Sequence, residues 1–188
     1  SDTTKAVLGF ALTYASDRAN FTVQPQLIYA KAHDRLTDQV QGILLSTGTV
    51  SGVVRLPNDF RLVANGGWQY THTSLLPGDL LFQVGGATTV RGYPSDAVAG
   101  DSGYYAQAEL HKDLSALVPG LDAFAFTDVG EVFSTFPSHT LLASAGVGLS
   151  VNWNDKVTAE LSAGFPILDA VSDQPVATVY ARITGKAF

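Results

Sequence analysis

The segment Gly100-Asp101-Ser102-Gly103 is the first place where side chains could carry out covalent chemistry, because such surroundings are typical of a serine-protease nucleophile. That mechanism also needs a histidine base, a buried aspartate and an oxyanion hole. The histidines are widely separated in the sequence, at His33, His72, His111 and His139. Their spacing brings no two of them to one site. We therefore interpret the segment as a glycine-rich loop and expect no enzyme activity.

Metal and cofactor chemistry also lack a convincing set of residues. Zinc needs about three or four convergent ligands, which dispersed histidines do not offer, and the sequence contains no Cys. Glu109, His111 and Asp113 share one face of a predicted strand, but polar residues are expected on any wet face. The glycine-rich segment 85–92 lacks the G-K-[ST] of a phosphate-binding loop. The net charge of −6 and the absence of a basic patch argue against nucleic acid.

Strict alternation of apolar and polar residues dominates the last third of the chain. One face of a predicted strand carries Leu141, Ala143, Ala145, Val147, Leu149, Val151 and Trp153. The other face carries small or polar residues, with Leu142 as the exception. The pattern repeats over 156–168, where Val157, Ala159, Leu161, Ala163, Phe165 and Ile167 share a face. A period of two puts each set on its own side of a strand.

One-sided strands fit either a soluble β-protein with a buried apolar face or a membrane barrel with that face in lipid. No run approaches the roughly 18 apolar residues of a transmembrane helix. Aromatic residues lie near the predicted strand ends, as interface girdles require, at Trp68, Tyr70, Trp153 and Phe165. The alternating stretches have about the 10 residues that a tilted membrane strand needs. The sequence therefore predicts an all-β, antiparallel transmembrane β-barrel.

Turn residues divide the chain into nine candidate strands, which we place at 5–15, 20–32, 38–56, 60–73, 103–114, 121–134, 139–153, 156–168 and 176–187. Asn154-Asp155 and Pro57-Asn58-Asp59 predict tight turns. The longest connection, residues 74–102, is called the long loop below. Pro25 weakens the second strand, because proline cannot donate to a ladder. Bacterial barrels normally have an even number of strands. We therefore expect residues 1–188 to be one barrel domain or a barrel fragment with eight or nine strands, and we favour missing strands.

Three motifs follow one another between residues 85 and 130. The long loop contains Gly85-Gly86-Ala87-Thr88-Thr89-Val90-Arg91-Gly92-Tyr93, and Gly103-Tyr104-Tyr105-Ala106-Gln107-Ala108-Glu109-Leu110 and Phe126-Thr127-Asp128-Val129-Gly130 come later. This order resembles the superfamily of two-partner secretion pores and outer-membrane assembly insertases. Its hallmark is a V-R-G-F/Y loop that folds back into the lumen, followed by a strand bearing F-x-D-x-G. Leu75-Leu76-Pro77-Gly78-Asp79 resembles the secretion (haemolysin-activator) branch. The resemblance covers about residues 40–188, and the first 35 residues match nothing in it. It implies that the eight or nine strands are part of a sixteen-stranded barrel.

The resemblance implies a site between the long loop and the barrel wall, formed by Val90, Arg91, Gly92, Tyr93, Phe126, Asp128 and Gly130, with Glu109 as a second lumenal candidate. Strand parity agrees with it: Phe126, Asp128 and Gly130 share one face, which is lumenal if Thr127 and Val129 face lipid. A sheltered carboxylate favours a partner, and arginine offers two parallel donors. A solvated loop arginine and a water-lined aspartate are the alternative.

The function that the resemblance implies is a translocation pore for secretion of a partner exoprotein, with the Arg91 loop controlling the pore. The alternatives are an insertase, and a small structural barrel whose interior is filled by side chains. The implied partners are membrane lipid, the exoprotein cargo, the barrel-assembly machinery and a second copy that could complete a ring. The resemblance places cargo recognition in periplasmic domains that this sequence does not include. The final residue, Phe188, resembles the assembly signal of outer-membrane barrels, so we expect a multi-pass protein of the bacterial outer membrane.

Overall fold

The structure is a computed structural model that describes residues 2–34, 39–134, 138–153, 156–172 and 174–185. These residues form twelve strands: β1 (Asp2–Gly9), β2 (Leu12–Ala15), β3 (Ala19–Asp34), β4 (Gln39–Leu56), β5 (Phe60–Tyr70), β6 (Phe82–Val84), β7 (Val98–Gly100), β8 (Ser102–Asp113), β9 (Leu121–Phe133), β10 (His139–Trp153), β11 (Val157–Pro166) and β12 (Thr178–Gly185). A 3-10 helix covers Gly78–Leu80. No helix among the described residues is long and apolar enough to cross a membrane.

Ten of the strands form one antiparallel sheet in which neighbours in sequence are neighbours in space. Its order is β1-β3-β4-β5-β8-β9-β10-β11-β12, and β2 also pairs with β3. This meander confirms the all-β antiparallel fold and the nine predicted strands, since β1 and β2 together occupy the first of them. Short connections such as the turn at Pro57-Asn58-Asp59 permit it, because antiparallel neighbours need only a tight hairpin. The predicted turn at Asn154-Asp155 lies outside the described residues.

Pro25 explains why the first predicted strand is divided. The register of β1 on β3 and that of β2 on β3 are continuous, with Gly9 opposite Gln26 and Leu12 opposite Val23. Phe10 therefore lies opposite Pro25 and donates its N–H to the Pro25 carbonyl (3.3 Å). Proline has no N–H to return this bond, so the ladder is interrupted there without a change of register.

The two faces of the sheet differ as the alternation predicts. Cross-strand partners such as Leu149 and Leu161 share the outer face, where both side chains are exposed. The opposite side, called the inner face below, carries Asp128 and Ser144, which are paired in the register and buried. The outer face of β9 to β12 is apolar, with Val147, Phe165, Val179 and Ile183 all exposed. An exposed apolar face this extensive needs a covering that water does not provide.

The long loop packs on the inner face, and β6 and β7 form a small hairpin within it that the sequence pattern did not predict. Two apolar clusters attach the loop to the sheet. The first joins Leu76 and Leu80 to Ile43 and Leu45 of β4 and to Ala30 and Ala32 of β3. The second joins Val84, Val90 and Tyr93 to Val132 and Leu142. Each buried leucine or valine contributes about 1.5–3 kcal/mol relative to exposure. Leu142, the exception to the alternation, is therefore apolar because the loop covers it.

Candidate functional site

The tip of the long loop is fixed by two anchors on either side of Arg91 and Gly92. Val90 is fully buried and Tyr93 nearly so, both in the second apolar cluster. The Tyr93 hydroxyl lies 3.0 Å from the Ala143 carbonyl and 2.8 Å from that of Leu168. Between the anchors, Gly92 has a φ of +94°, which L side chains rarely adopt. The backbone reverses there, and Arg91 is directed at the wall.

Arg91 meets Asp128 in the two-pronged arrangement that guanidinium and carboxylate groups favour. Its Nε donates to Asp128 Oδ2 at 2.8 Å and its Nη2 to Oδ1 at 2.7 Å. The backbone N–H of Arg91 donates to Oδ2 as well, at 3.0 Å. Three hydrogen bonds thus satisfy one carboxylate. Charge-assisted bonds of this geometry are about twice as strong as neutral ones.

Water is largely excluded from this pair. Arg91 is 5% exposed and Asp128 1% exposed. The guanidinium also lies over the ring of Phe126, with its carbon 3.5 Å from the ring centroid, so the aromatic face supports the charge. Burial opposes the charge on Arg91, but hydrogen bonds and Coulomb attraction from Asp128 and Glu109 outweigh it and raise the pKa of Arg91 above its ordinary value. The pair is therefore a fixed, charged contact.

A second carboxylate reaches Arg91 from β8 and belongs to a longer charged network. Glu109 accepts a hydrogen bond from Arg91 Nη1 through Oε1, and its Oε2 lies 2.8 Å from His111 Nε2. His111 Nδ1 lies 2.7 Å from Asp122 Oδ1, and Asp122 Oδ2 pairs with Arg61 Nη1 at 3.0 Å. The network therefore runs along the inner face from the long loop across β8 and β9 to β5. Each carboxylate of the network therefore has an arginine partner: Arg91 for Asp128 and Glu109, and Arg61 for Asp122. Arg61 Nη2 also lies 3.0 Å from His111 Nδ1.

Gly130 makes room for the loop on β9. A Cβ added to Gly130 would lie 2.5 Å from Val84 Cγ1 and 2.9 Å from Val90 Cγ2. Contacts this short do not occur between real side chains, so any larger residue would push the loop away from the wall. Glycine therefore fits the last position of F-x-D-x-G for a steric reason, whereas the Phe and Asp of this motif contact Arg91.

Comparison with known proteins gives the family. A family model described as "Haemolysin secretion/activation protein ShlB/FhaC/HecB" matches residues 6–151, well over half of the chain. The chain belongs to the ShlB/FhaC/HecB family. This match begins in β1, which corrects the expectation that the first 35 residues lie outside the resemblance.

Solved structures with the same fold include two proteins named CdiB. CdiB from Escherichia coli aligns with a TM-score of 0.75 and 22% identity over 96% of this chain and 36% of that chain. CdiB from Acinetobacter baumannii aligns with a TM-score of 0.59 and 18% identity over 96% of this chain and 42% of that chain. The chain therefore spans less than half the length of either structure. A comparison with curated protein sequences found no significant match.

The ShlB/FhaC/HecB chain uses its Asp101 and Ser102 to hold the loop. Asp101 accepts hydrogen bonds from the Leu75 and Leu76 amides, at 3.2 and 2.8 Å, and the Ser102 hydroxyl accepts one from the Thr71 amide at 3.0 Å. The segment that suggested a nucleophile therefore fixes both ends of the long loop. Among the described residues, no group of three or more His, Asp and Glu side chains is arranged to hold a metal ion.

Most predicted site residues of this ShlB/FhaC/HecB chain lie together. Val90, Arg91, Gly92 and Tyr93 form the tip, and Phe126, Asp128, Gly130 and Glu109 form the wall beneath it. Phe188 lies outside the described residues. The sequence analysis missed His111, Asp122 and Arg61 as network members, and Thr178 and Tyr180 as contacts of Gly92. Strand parity alone could have placed all five on the inner face.

Proposed function

We propose that this chain is part of a sixteen-stranded outer-membrane pore through which a partner exoprotein is secreted. Family membership supports a two-partner secretion transporter, and the long loop attached to the inner face carries the more specific proposal. The apolar outer face then lies in lipid and the inner face lines the lumen. There is no covalent chemistry in this function.

A partly polar cavity beside the loop fits a path for an extended polypeptide. It has a volume of about 820 Å³ and lies between the loop tip and strands β5, β8, β11 and β12. Its lining includes Asn65, Gln107, Glu109, Glu160 and Arg182. Polar side chains and charges of both signs can exchange hydrogen bonds with any backbone without binding it tightly. Arg91, Ala87 and Thr88 of the loop line this space, so we infer that the tip controls the conformation of the pore.

The partners follow from this function. The resemblance assigns cargo recognition to periplasmic domains ahead of the barrel, so this chain supplies the conduit and its loop. Lipid would cover the outer face, and the barrel-assembly machinery would insert the protein. We rank closure by further strands of the same protein above closure by a second copy, because the chain spans less than half the length of the CdiB structures that it matches.

Secretion by the full-length transporter tests this proposal. A Gram-negative host would express the partner exoprotein with the transporter, and the medium, periplasm and membrane would be assayed separately. We expect exoprotein in the medium only when the transporter is present. Bilayer conductance measures the pore directly. A transporter that leaves the cargo in the periplasm and conducts no ions would indicate a side-chain-filled structural barrel. Impaired assembly of other barrels in its absence, with normal secretion, would indicate an insertase.

A further inference from the structure

The loop tip has a further attachment to the sheet, on β12. We propose that Tyr180 and Thr178 of β12 form a clamp on the Gly92 peptide and act as positioning residues for the long loop. The inference rests on the proposed function, since it describes how the same loop is held. It concerns different side chains, a different strand and a different part of the tip from the arginine pair.

The clamp satisfies both polar groups of one residue. The Gly92 N–H donates to the Tyr180 hydroxyl at 2.9 Å, and the Thr178 hydroxyl donates to the Gly92 carbonyl at 2.9 Å. Thr178 and Tyr180 are two positions apart on β12, so both side chains are on its inner face. A peptide in a loop has no ladder partner, and here two side chains of one strand replace it.

The intervening strand is shaped to let the tip reach β12. A Cβ added to Gly164 on β11 would lie 2.8 Å from Gly92 N and 3.2 Å from Arg91 Cβ. Gly164 is the register partner of Thr178, so the bare position lies directly beside the clamp. Any side chain there would lift the peptide out of hydrogen-bonding distance. Gly164 and the hydroxyl groups of Thr178 and Tyr180 thus form one binding position for the tip.

The tip therefore connects distant parts of the sheet. Arg91 holds it to β8 and β9, and Gly92 holds it to β12, with β10 and β11 between them. Displacement of the tip requires both of these attachments to break, together with the Val90 and Tyr93 anchors. Because the two attachments share no side chain, their contributions to loop opening add, as expected for independent sites.

Protease protection of the long loop measures the clamp without any cargo. The full-length transporter would be purified in lipid nanodiscs, and the cleavage rate within the loop measured under limiting protease. Tyr180→Phe removes the hydroxyl that accepts from the Gly92 N–H and donates to the Tyr93 carbonyl at 3.5 Å, and Thr178→Val removes the donor to the Gly92 carbonyl. Each changes the shape of the side chain little. We expect each to raise the cleavage rate by about five- to tenfold, because a buried peptide group loses its partner. Thr178→Ser keeps the hydroxyl and should retain near-normal protection.

Tyr105→Phe is the matched control, because Tyr105 is also on the inner face and its hydroxyl makes no hydrogen bond among the described residues. It should leave cleavage unchanged. Tyr180→Phe combined with Asp128→Ala should multiply the two single effects. Unchanged protection in Tyr180→Phe and Thr178→Val, or equal effects of Tyr180→Phe and Tyr105→Phe, would overturn the clamp. Secretion by the unmodified transporter is measured separately, so failure of the clamp and failure of the proposed function are distinguishable.

Discussion

At the residue scale, Arg91 is held by geometry as much as by charge. Asp128 receives two parallel side-chain bonds and one backbone bond from it, whereas Glu109 receives a single bond. Lysine could supply the charge but not the fork, because its ammonium is a point donor on a flexible stem. The planar group also fits flat on Phe126, which an ammonium would contact over a smaller area.

Arg91→Lys should therefore not hold the long loop on the inner face as firmly as arginine does. We expect protease cleavage of the loop to rise by about tenfold or more, since one bidentate contact is worth more than one ordinary hydrogen bond of roughly 1 kcal/mol. Circular dichroism would verify that the barrel is folded. Normal protection in Arg91→Lys would show that charge alone holds the tip.

The two carboxylates should contribute unequally. Asp128→Asn leaves a shape close to the original but removes the charge that accepts three bonds, so its effect on loop protection should be several times that of Glu109→Gln. Glu109 is also half engaged with His111, and it is more exposed than Asp128. Parallel proteolysis of both isosteric variants gives the ratio. A larger effect of Glu109→Gln would show that Glu109 on β8 contributes more to holding the loop than Asp128 does.

At the scale of elements, the fit between the long loop and the barrel wall depends on glycine, which leaves space that a side chain would fill. Gly130→Ala should destabilise the docked loop by about 1–3 kcal/mol, because its methyl group would meet Val84 and Val90. Gly78→Ala, in the same loop, is the control, since nothing lies within 4 Å of the added atom. Hydrogen exchange across the loop would report the difference. Equal exchange in the two variants would contradict close packing at Gly130.

Spin labels test which face of the strands meets lipid. Labels at Leu149 and Leu161, which are cross-strand partners on the outer face, should be accessible to oxygen dissolved in the bilayer. A label at Ser150, which follows Leu149 on β10 and lies on the inner face, should be accessible to a water-soluble relaxation agent. The reverse accessibility would indicate a soluble barrel with an apolar interior.

Alternation predicted the nine strands and their faces because lipid or water along a whole face leaves a repeated trace in the sequence. It did not predict the apolar inner-face residues Ile43 and Leu45, because their partners Leu76 and Leu80 come from a distant loop. The contact of Gly92 with β12 is equally non-local: 88 positions separate Gly92 from Tyr180. The pairing of Arg91 with Asp128 was predicted from the motif resemblance. Spacing and periodicity alone left that pairing as one of two alternatives.

At the scale of the whole molecule, the described residues form a sheet with β1 and β12 at its two edges. Each unsatisfied backbone group within hydrocarbon costs several kcal/mol, so such edges must be paired in a membrane. We expect the full-length transporter to be a closed, heat-modifiable monomer in mild detergent. The 188-residue chain alone should close on itself, pair with a second copy or aggregate. A stable monomeric open sheet, observed by mass measurement in detergent, would contradict this reasoning.

The central claim is that Arg91 and Asp128 form one shared contact on which secretion depends. A double-mutant cycle in the full-length transporter tests it most directly, with secreted exoprotein per assembled transporter as the measured quantity. Breaking a buried pair costs about 3–5 kcal/mol, because the remaining charge is left without a partner. We therefore predict a severe loss of secretion in both Arg91→Ala and Asp128→Ala, and no further loss in the double variant. Single variants that secrete normally, or losses that multiply in the double variant, would contradict the claim.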